Sequence, residues 1–172
     1  MRGGAAVYAL RESRLANPMI TFRLERRIAL FSLCLACLAS QGFGQWSSIA
    51  PGRQINPEDL VKILKEGKQK PLMLQVGSHT LFLQAHIPGS EYVGAAASPA
   101  GLEQLRKRVE SLPRHKFIVL YCGCCPWSHC PNVKPANDAL QGMGFTNWKV
   151  LYIADNFGTN WVDKGYPTAK GD

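Results

Sequence analysis

Apolar positions along this chain change period several times, and the changes mark out its elements. Residues 117–121 (FIVLY) are all aliphatic or aromatic, the pattern of a strand covered on both faces of a sheet. Residues 71–76 (PLMLQV), 91–94 and 148–153 predict three further short extended segments. Between these runs the spacing becomes three and four, the period of a helix with one buried face. Leu60, Val61, Ile63 and Leu64 form one such stripe, opened by Asn56 as cap and Pro57 in the first turn, with Glu58 and Asp59 complementing the dipole and Gly67 ending it. Leu102, Leu105, Val109 and Leu112 form a second after Ser98. Val133, Ala136, Ala139, Leu140 and Met143 form a third after Pro131, closed by Gly142 and Gly144. Ser78 caps a brief helical stretch, residues 86–90 (HIPGS) make a turn, and residues 156–164 predict a final short helix ending at Gly165, Tyr166 and Pro167. Strands alternating with helices predict an α/β fold, a mainly parallel open sheet with helices on both faces, over residues 55–170.

Residues 1–44 follow another logic. Arg23, Arg26 and Arg27 precede an apolar run, residues 28–39 (IALFSLCLACLA), too short to span a bilayer comfortably, and small residues follow at Ser40, Gly42 and Gly44. This is the pattern of a secretory signal peptide, with an uncleaved anchor as the alternative. The long stretch ahead of the basic cluster makes Met19 the expected true start, and cleavage is expected near Ala39 or Gly44. The expectation is an exported protein, periplasmic or extracellular, with no stable membrane span after processing. Residues 45–54 are a connector. The formal net charge of +8 divides evenly, because residues 1–44 hold six Arg and two Glu and the remainder holds fourteen Lys plus Arg against ten Asp plus Glu. Arg106, Lys107 and Arg108 form the one local basic cluster, read as a solvated helix face, and no nucleic-acid partner is expected.

The chemistry concentrates in one place. Cys34 and Cys37 are apolar residues of the leader, which leaves Cys122, Cys124, Cys125 and Cys130 packed into nine residues with Gly123, Pro126 and Pro131. Packing alone would scatter cysteines through helices and strands. Here a thiol-rich loop lies between the carboxyl end of a buried strand and a helix N-terminus, where amides and the helix dipole favour an anion or a thiolate.

These landmarks together resemble a single rhodanese-like domain. The strand PLMLQV comes first, then QAHIPGS where that family has a GHIPGA-type turn, then IVLYC, and finally FTNWKVLYI followed by Trp161, Gly165, Tyr166 and Pro167, like the family's closing W…GYP. The resemblance implies a sulfurtransferase that takes a sulfane sulfur onto a cysteine as a persulfide and hands it to a thiophilic acceptor. It carries that role to Cys122, which directly follows Tyr121. It implies a small sulfur-containing anion or a thiol acceptor as partner, and no cofactor. Two departures stand out. The loop is expanded, with Asn132 and Val133 where the family has an Arg-Ser pair, and Val76 and Gly77 replace an Asp-Arg pair after the first strand. His129 and Lys134 are the candidate substitutes for the missing substrate-binding arginine, Lys134 being charged at neutral pH. Cysteine phosphatases that share the architecture need Arg six residues after the nucleophile; here Ser128, Cys130 and Pro131 stand six after Cys122, Cys124 and Cys125, so that chemistry is excluded.

Three chemistries remain for the four thiols. Cys122 carries a persulfide that Cys124, Cys125 or Cys130 resolves. Alternatively the loop is a noncatalytic redox dithiol or disulfide, Cys124 or Cys125 pairing with Cys130. Third, Cys124, Cys125 and Cys130 with His129 hold a soft metal such as Zn or Cu(I), although the C-G-C-C-x4-C spacing lacks the paired two-residue gaps of structural zinc sites. Elsewhere, His86 is expected to fix its turn by hydrogen bonding, Trp127 to shield the loop or meet a partner, and Trp161 and Tyr166 to pack at a closing corner.

Overall fold

The computed structural model describes residues 49–67 and 70–171; the leader and the first four residues of the connector lie outside the described residues. Five strands form one sheet: β1 (Gln54–Ile55), β2 (Leu72–Gln75), β3 (Glu91–Tyr92), β4 (Ile118–Tyr121) and β5 (Trp148–Leu151). Their order is β1-β5-β4-β2-β3, and every pairing is parallel. Four helices connect them: α1 (Pro57–Glu66), α2 (His79–Gln84), α3 (Pro99–Val109) and α4 (Val133–Gly142).

The central position of β4 follows from its sequence. All four of its residues are buried, so only a slot between two strands and between two helical layers satisfies it. Alternation along the strands then sorts side chains into two cores. Leu74, Val76, Ile118, Leu120 and Val150 face α3 and α4, meeting Leu105, Val109, Ala136 and Leu140. Met73, Val119, Tyr121 and Leu151 face the opposite way, toward Leu60 and Val61 of α1 and toward Trp161. Each aliphatic side chain removed from water in this way contributes about 1.5–3 kcal/mol before conformational entropy is set against it. The expected α/β class with helices on both faces is therefore what forms.

Details depart from expectation where local polar groups outvote the periodic pattern. Ser78 and Ser98 cap α2 and α3 by accepting from the amides of Leu81 and Gly101, as the sequence implies. Asn56 occupies the first cap position but makes no side-chain cap bond. Strand β1 was not anticipated, because two residues directly before a helix start carry no readable period. The expected closing helix over residues 156–164 shrinks to a single π-helical turn, Gly158–Val162, since Asn160 accepts from the amides of Asp155 and Asn156, and Asn156 accepts from Thr159. Arg108 does not stand on a purely solvated face: it holds Glu91 through two parallel hydrogen bonds, tying α3 to β3.

Candidate functional site

Strand β4 delivers Cys122 to the carboxyl edge of the sheet with its side chain directed into the α3 and α4 core, where it is 4% exposed. Room for the sulfur exists because residue 77 is glycine: a Cβ there would lie 2.6 Å from the Cys122 sulfur. The chain then turns sharply at Gly123, whose φ of +83° and close approach to Phe157 (2.7 Å from a notional Cβ) admit no other residue without strain. That turn returns the backbone over the strand end and stacks the thiols. The sulfur of Cys124 lies 3.1 Å from that of Cys122 and 3.3 Å from that of Cys125. Cys130, buried, comes back from the far side of the loop, so that the sulfurs of Cys122, Cys124 and Cys130 all lie within 4.8 Å of one another. Among the described residues none of the four forms a disulfide.

Two amide side chains hold this arrangement, and their orientation is fixed by backbone donors. The Asn132 Oδ1 accepts the Ala97 amide at 2.9 Å, which turns Nδ2 toward Cys122 Sγ at 3.5 Å and Cys124 Sγ at 3.8 Å. In the same way the Gln75 Oε1 accepts the Gly77 amide and Nε2 donates to the Cys122 carbonyl. Tyr121 hydrogen-bonds Ser90 and receives the Ile87 amide; burial pushes its phenol up to about 12, so it is a neutral structural group.

The thiols do not share their charge equally. Hydrogen bonds donated by Cys122 first, then by Cys130 and Cys125, hold Cys124 well below the usual thiol range against the opposing effect of its partial burial. Cys122 is pushed up by its hydrogen bonds to Cys124 and Cys130 and by burial. Cys125 is pushed up by burial, then by donation to Cys124. At Cys130 the bond with Cys122 pulls down, but the one with Cys124 and burial outweigh it. The hydrogen bonds within the cluster therefore favour ionisation at Cys124 over its three neighbours.

Beside the thiols opens a cleft of about 420 Å³ lined by Gln75, Gln84, Tyr121, Cys122, Cys124 and Asn156, with apolar side chains from Leu81, Phe157 and Val162. Leu81 and Val162 are the large apolar residues left exposed among the described residues, at 40% and 38%. Among the described residues no Lys, Arg or His lines this cleft. Lys134 instead pairs with Asp138 one turn along α4. His129 is exposed, with Nδ1 bonded to Ser128 Oγ. The structure thus brings Cys122, Cys124, Cys125 and Cys130 together and leaves His129 and Lys134 outside the cleft. Of the residues that matter here, sequence reasoning did not single out Gln75 or weigh Asn132 and Gly77 beyond their departure from a family pattern. The signal was present in one amide at the end of an apolar strand and another at the first turn of a helix.

His86 does anchor its turn: Nδ1 bonds the Phe82 carbonyl at 2.9 Å, and its backbone pairs with Ala169. Trp127 packs on Tyr152 at 5.1 Å between ring centroids and covers the loop.

No family model matches the chain, and no curated protein sequence matches it. Solved structures do. A crystal structure of an Anabaena sp. protein is similar over 67% of this chain and 82% of that one, at 20% identity and a TM-score of 0.53. The solution structure of the rhodanese-like domain from the same Anabaena protein is similar over 69% of this chain and 79% of that one, at 21% identity and a TM-score of 0.51. The fold is rhodanese-like. A thiosulfate sulfurtransferase from Pseudomonas aeruginosa also contains this rhodanese-like arrangement, matching 74% of this chain but 22% of its own length, at 24% identity and a TM-score of 0.51. Within the rhodanese-like frame, the cysteine-rich loop occupies residues 122–130, between β4 and α4. Among the described residues no helix is long and apolar enough to cross a membrane.

Proposed function

We propose that this protein is an exported sulfurtransferase that moves sulfane sulfur through a persulfide on Cys122. The observation that carries the reading is the Cys122 and Cys124 sulfur pair, 3.1 Å apart, from two residues that line the cleft at the carboxyl edge of the sheet. The Cys124 thiolate accepts the Cys122 proton as the Cys122 sulfur attacks the outer sulfur of the donor. The donor's sulfur–sulfur bond breaks, its remaining thiolate or sulfite departs with the electron pair, and Cys122 keeps the transferred sulfur. In the second half-reaction an acceptor thiolate attacks that terminal sulfur, and Cys122 leaves as the thiolate and recovers its proton from Cys124. Asn132 Nδ2 is placed to donate to the charged sulfur throughout.

The neutral, partly apolar lining favours a donor with an uncharged body, an alkyl persulfide or polysulfide, over a compact inorganic dianion. Cleavage of the leader would leave the domain outside the cytoplasm, and an intact-mass measurement on protein secreted from cells checks that step.

A second reading rests on exposure: Cys124 is half-buried and its hydrogen bonds lower its pKa, so it, rather than Cys122, could take the sulfur. The test is to incubate reduced protein with thiosulfate or an alkyl persulfide, remove the excess, and map the added sulfur by peptide mass. Sulfur on Cys122, lost in Cys122→Ser and formed on the order of 100-fold more slowly in Cys124→Ser, is the expected result. Sulfur on Cys124 would exchange the two roles, and no uptake from either donor would end the proposal.

A further inference from the structure

We infer that Cys122, Cys124 and Cys130 also form a three-thiolate site for a soft monovalent metal ion, Cu(I). The three sulfurs lie within 4.8 Å of one another, and they come from both ends of the loop, so one ion would clamp it shut. A metal about 2.3 Å from each of three coplanar sulfurs needs them about 4 Å apart, an opening of roughly 1 Å at the Cys122 and Cys124 pair.

The choice of metal follows from what the site lacks and from what surrounds it. Among the described residues no imidazole, carboxylate or fourth thiol joins the set. Cys125 Sγ touches Cys124 Sγ at 3.3 Å and reaches the His129 carbonyl at 3.8 Å but lies outside the three-sulfur group, and His129 Nδ1 is engaged by Ser128. Structural zinc takes four ligands, whereas an all-sulfur trigonal set suits Cu(I). The surroundings also fit a thiolate-bound ion. Asn132 Nδ2 faces two of the sulfurs, its orientation fixed by the Ala97 amide, and the Asn132 and Val133 amides at the start of α4 donate to Cys130. A small cavity of about 10 Å³ adjoins Cys122, Cys125 and Cys130 beside Val133, Leu151 and Ile153, so the thiol cluster borders an apolar wall.

Binding is ligand exchange without electron transfer: three copper–sulfur bonds form and the S–H protons pass to solvent. The inference does not rest on sulfur transfer, but the two uses compete, since both need Cys122 and Cys124.

The test uses reduced full-length protein under anaerobic conditions, titrated with Cu(I) against a chromogenic Cu(I) chelator. Expected are one equivalent bound, release of protons, and a copper X-ray absorption spectrum fitted by three sulfur scatterers and no nitrogen or oxygen. Cys130→Ser should weaken binding at least ~100-fold, Asn132→Leu about ten-fold, and His129→Ala not at all. If Cys130→Ser fails to fold by circular dichroism, Cys124→Ser, at a half-exposed position, gives the same readout. Copper held by two sulfurs, a nitrogen or oxygen scatterer in the shell, or loss of binding in His129→Ala would each overturn the site. Persulfide formation is measured separately on the metal-free protein, so failure of copper binding and failure of sulfur transfer are distinguishable; where both occur, one equivalent of Cu(I) should abolish sulfur uptake.

Discussion

The chemistry of single residues here is set by neighbours more than by identity. Four cysteines of one type diverge in acidity because Cys124 receives hydrogen bonds from all three of the others, whereas at Cys130 the lowering bond from Cys122 is outweighed. Its folded pKa is lowered, so the thiolate exists on both sides of neutral pH, and alkylation of Cys124 should be nearly flat from about pH 6 to 8. Cys122→Ala removes the largest donor; the pKa then climbs toward the ordinary thiol value of 9.0, and the alkylation rate should rise with pH across that window. A flat profile in the variant would mean Cys122 is not what lowers it. Gly77→Ala separates position from charge. Gly77 has no left-handed backbone requirement, so its new Cβ acts only by meeting the Cys122 sulfur and, less closely, Gln75. Sulfur uptake should fall at least ~10-fold with the fold intact; uptake unchanged from the parent would show that the sulfur moves aside without cost. Cysteine spacing alone located the thiol cluster but not its polarity. Which thiol ionises depends on the path of the turn at Gly123, a three-dimensional fact that four clustered letters do not encode.

Among elements, legibility tracked length and amphipathic contrast. β2, β4, β5 and the four helices each carry a run long enough to show a period, and all were readable. β1 is two residues long, and the π-helical turn at Gly158–Val162 is shaped by asparagine side chains, so neither has a periodic signature. The link between α3 and β3 was also hidden, because Arg108 sits among basic neighbours and its partner Glu91 is seventeen residues earlier. Hydrogen bonds from Arg108 hold the Glu91 carboxyl below its ordinary 4.5. A depressed folded pKa contributes stability that is complete above 4.5 and lost as pH falls through the lower folded value. Both side chains are over a third exposed, so solvent screening keeps the contribution under about 1 kcal/mol. Glu91→Gln should therefore lower the melting temperature modestly at neutral pH and converge with the parent protein once pH falls below the lowered folded value of Glu91. Parallel melting curves down to that pH would remove the pair from the stability balance.

At the scale of the molecule, the closing segment connects global packing to the thiol loop. Trp161 is fully buried in the core beneath β4 and β5, donates its indole N–H to the Pro167 carbonyl, and stacks on Phe157 at 5.8 Å. Phe157 in turn donates its amide to the Gly123 carbonyl at 3.0 Å and leaves no space for a side chain there. Tyr166 bonds Glu58 of α1, and Ala169 pairs with His86, so the C-terminal segment ties the first helix and the turn before β3 to the same corner. The W…GYP ending was legible in the sequence as packing; its reach to the active loop through Phe157 was not, because it depends on a backbone contact across 34 residues of chain. Trp161→Ala should cost about 3–5 kcal/mol in denaturant unfolding, the range for emptying a large aromatic site in a core. It should also speed alkylation of Cys124 well below the unfolding transition, because Phe157 loses its backing and the Gly123 turn loses its cover. Trp161→Phe, which keeps most of the volume and gives up the bond to Pro167, should cost about 1 kcal/mol and leave thiol reactivity near that of the parent. Destabilisation of Trp161→Ala without any change in Cys124 reactivity would confine Trp161 to the core and leave the loop held by Asn132 and Gln75 alone.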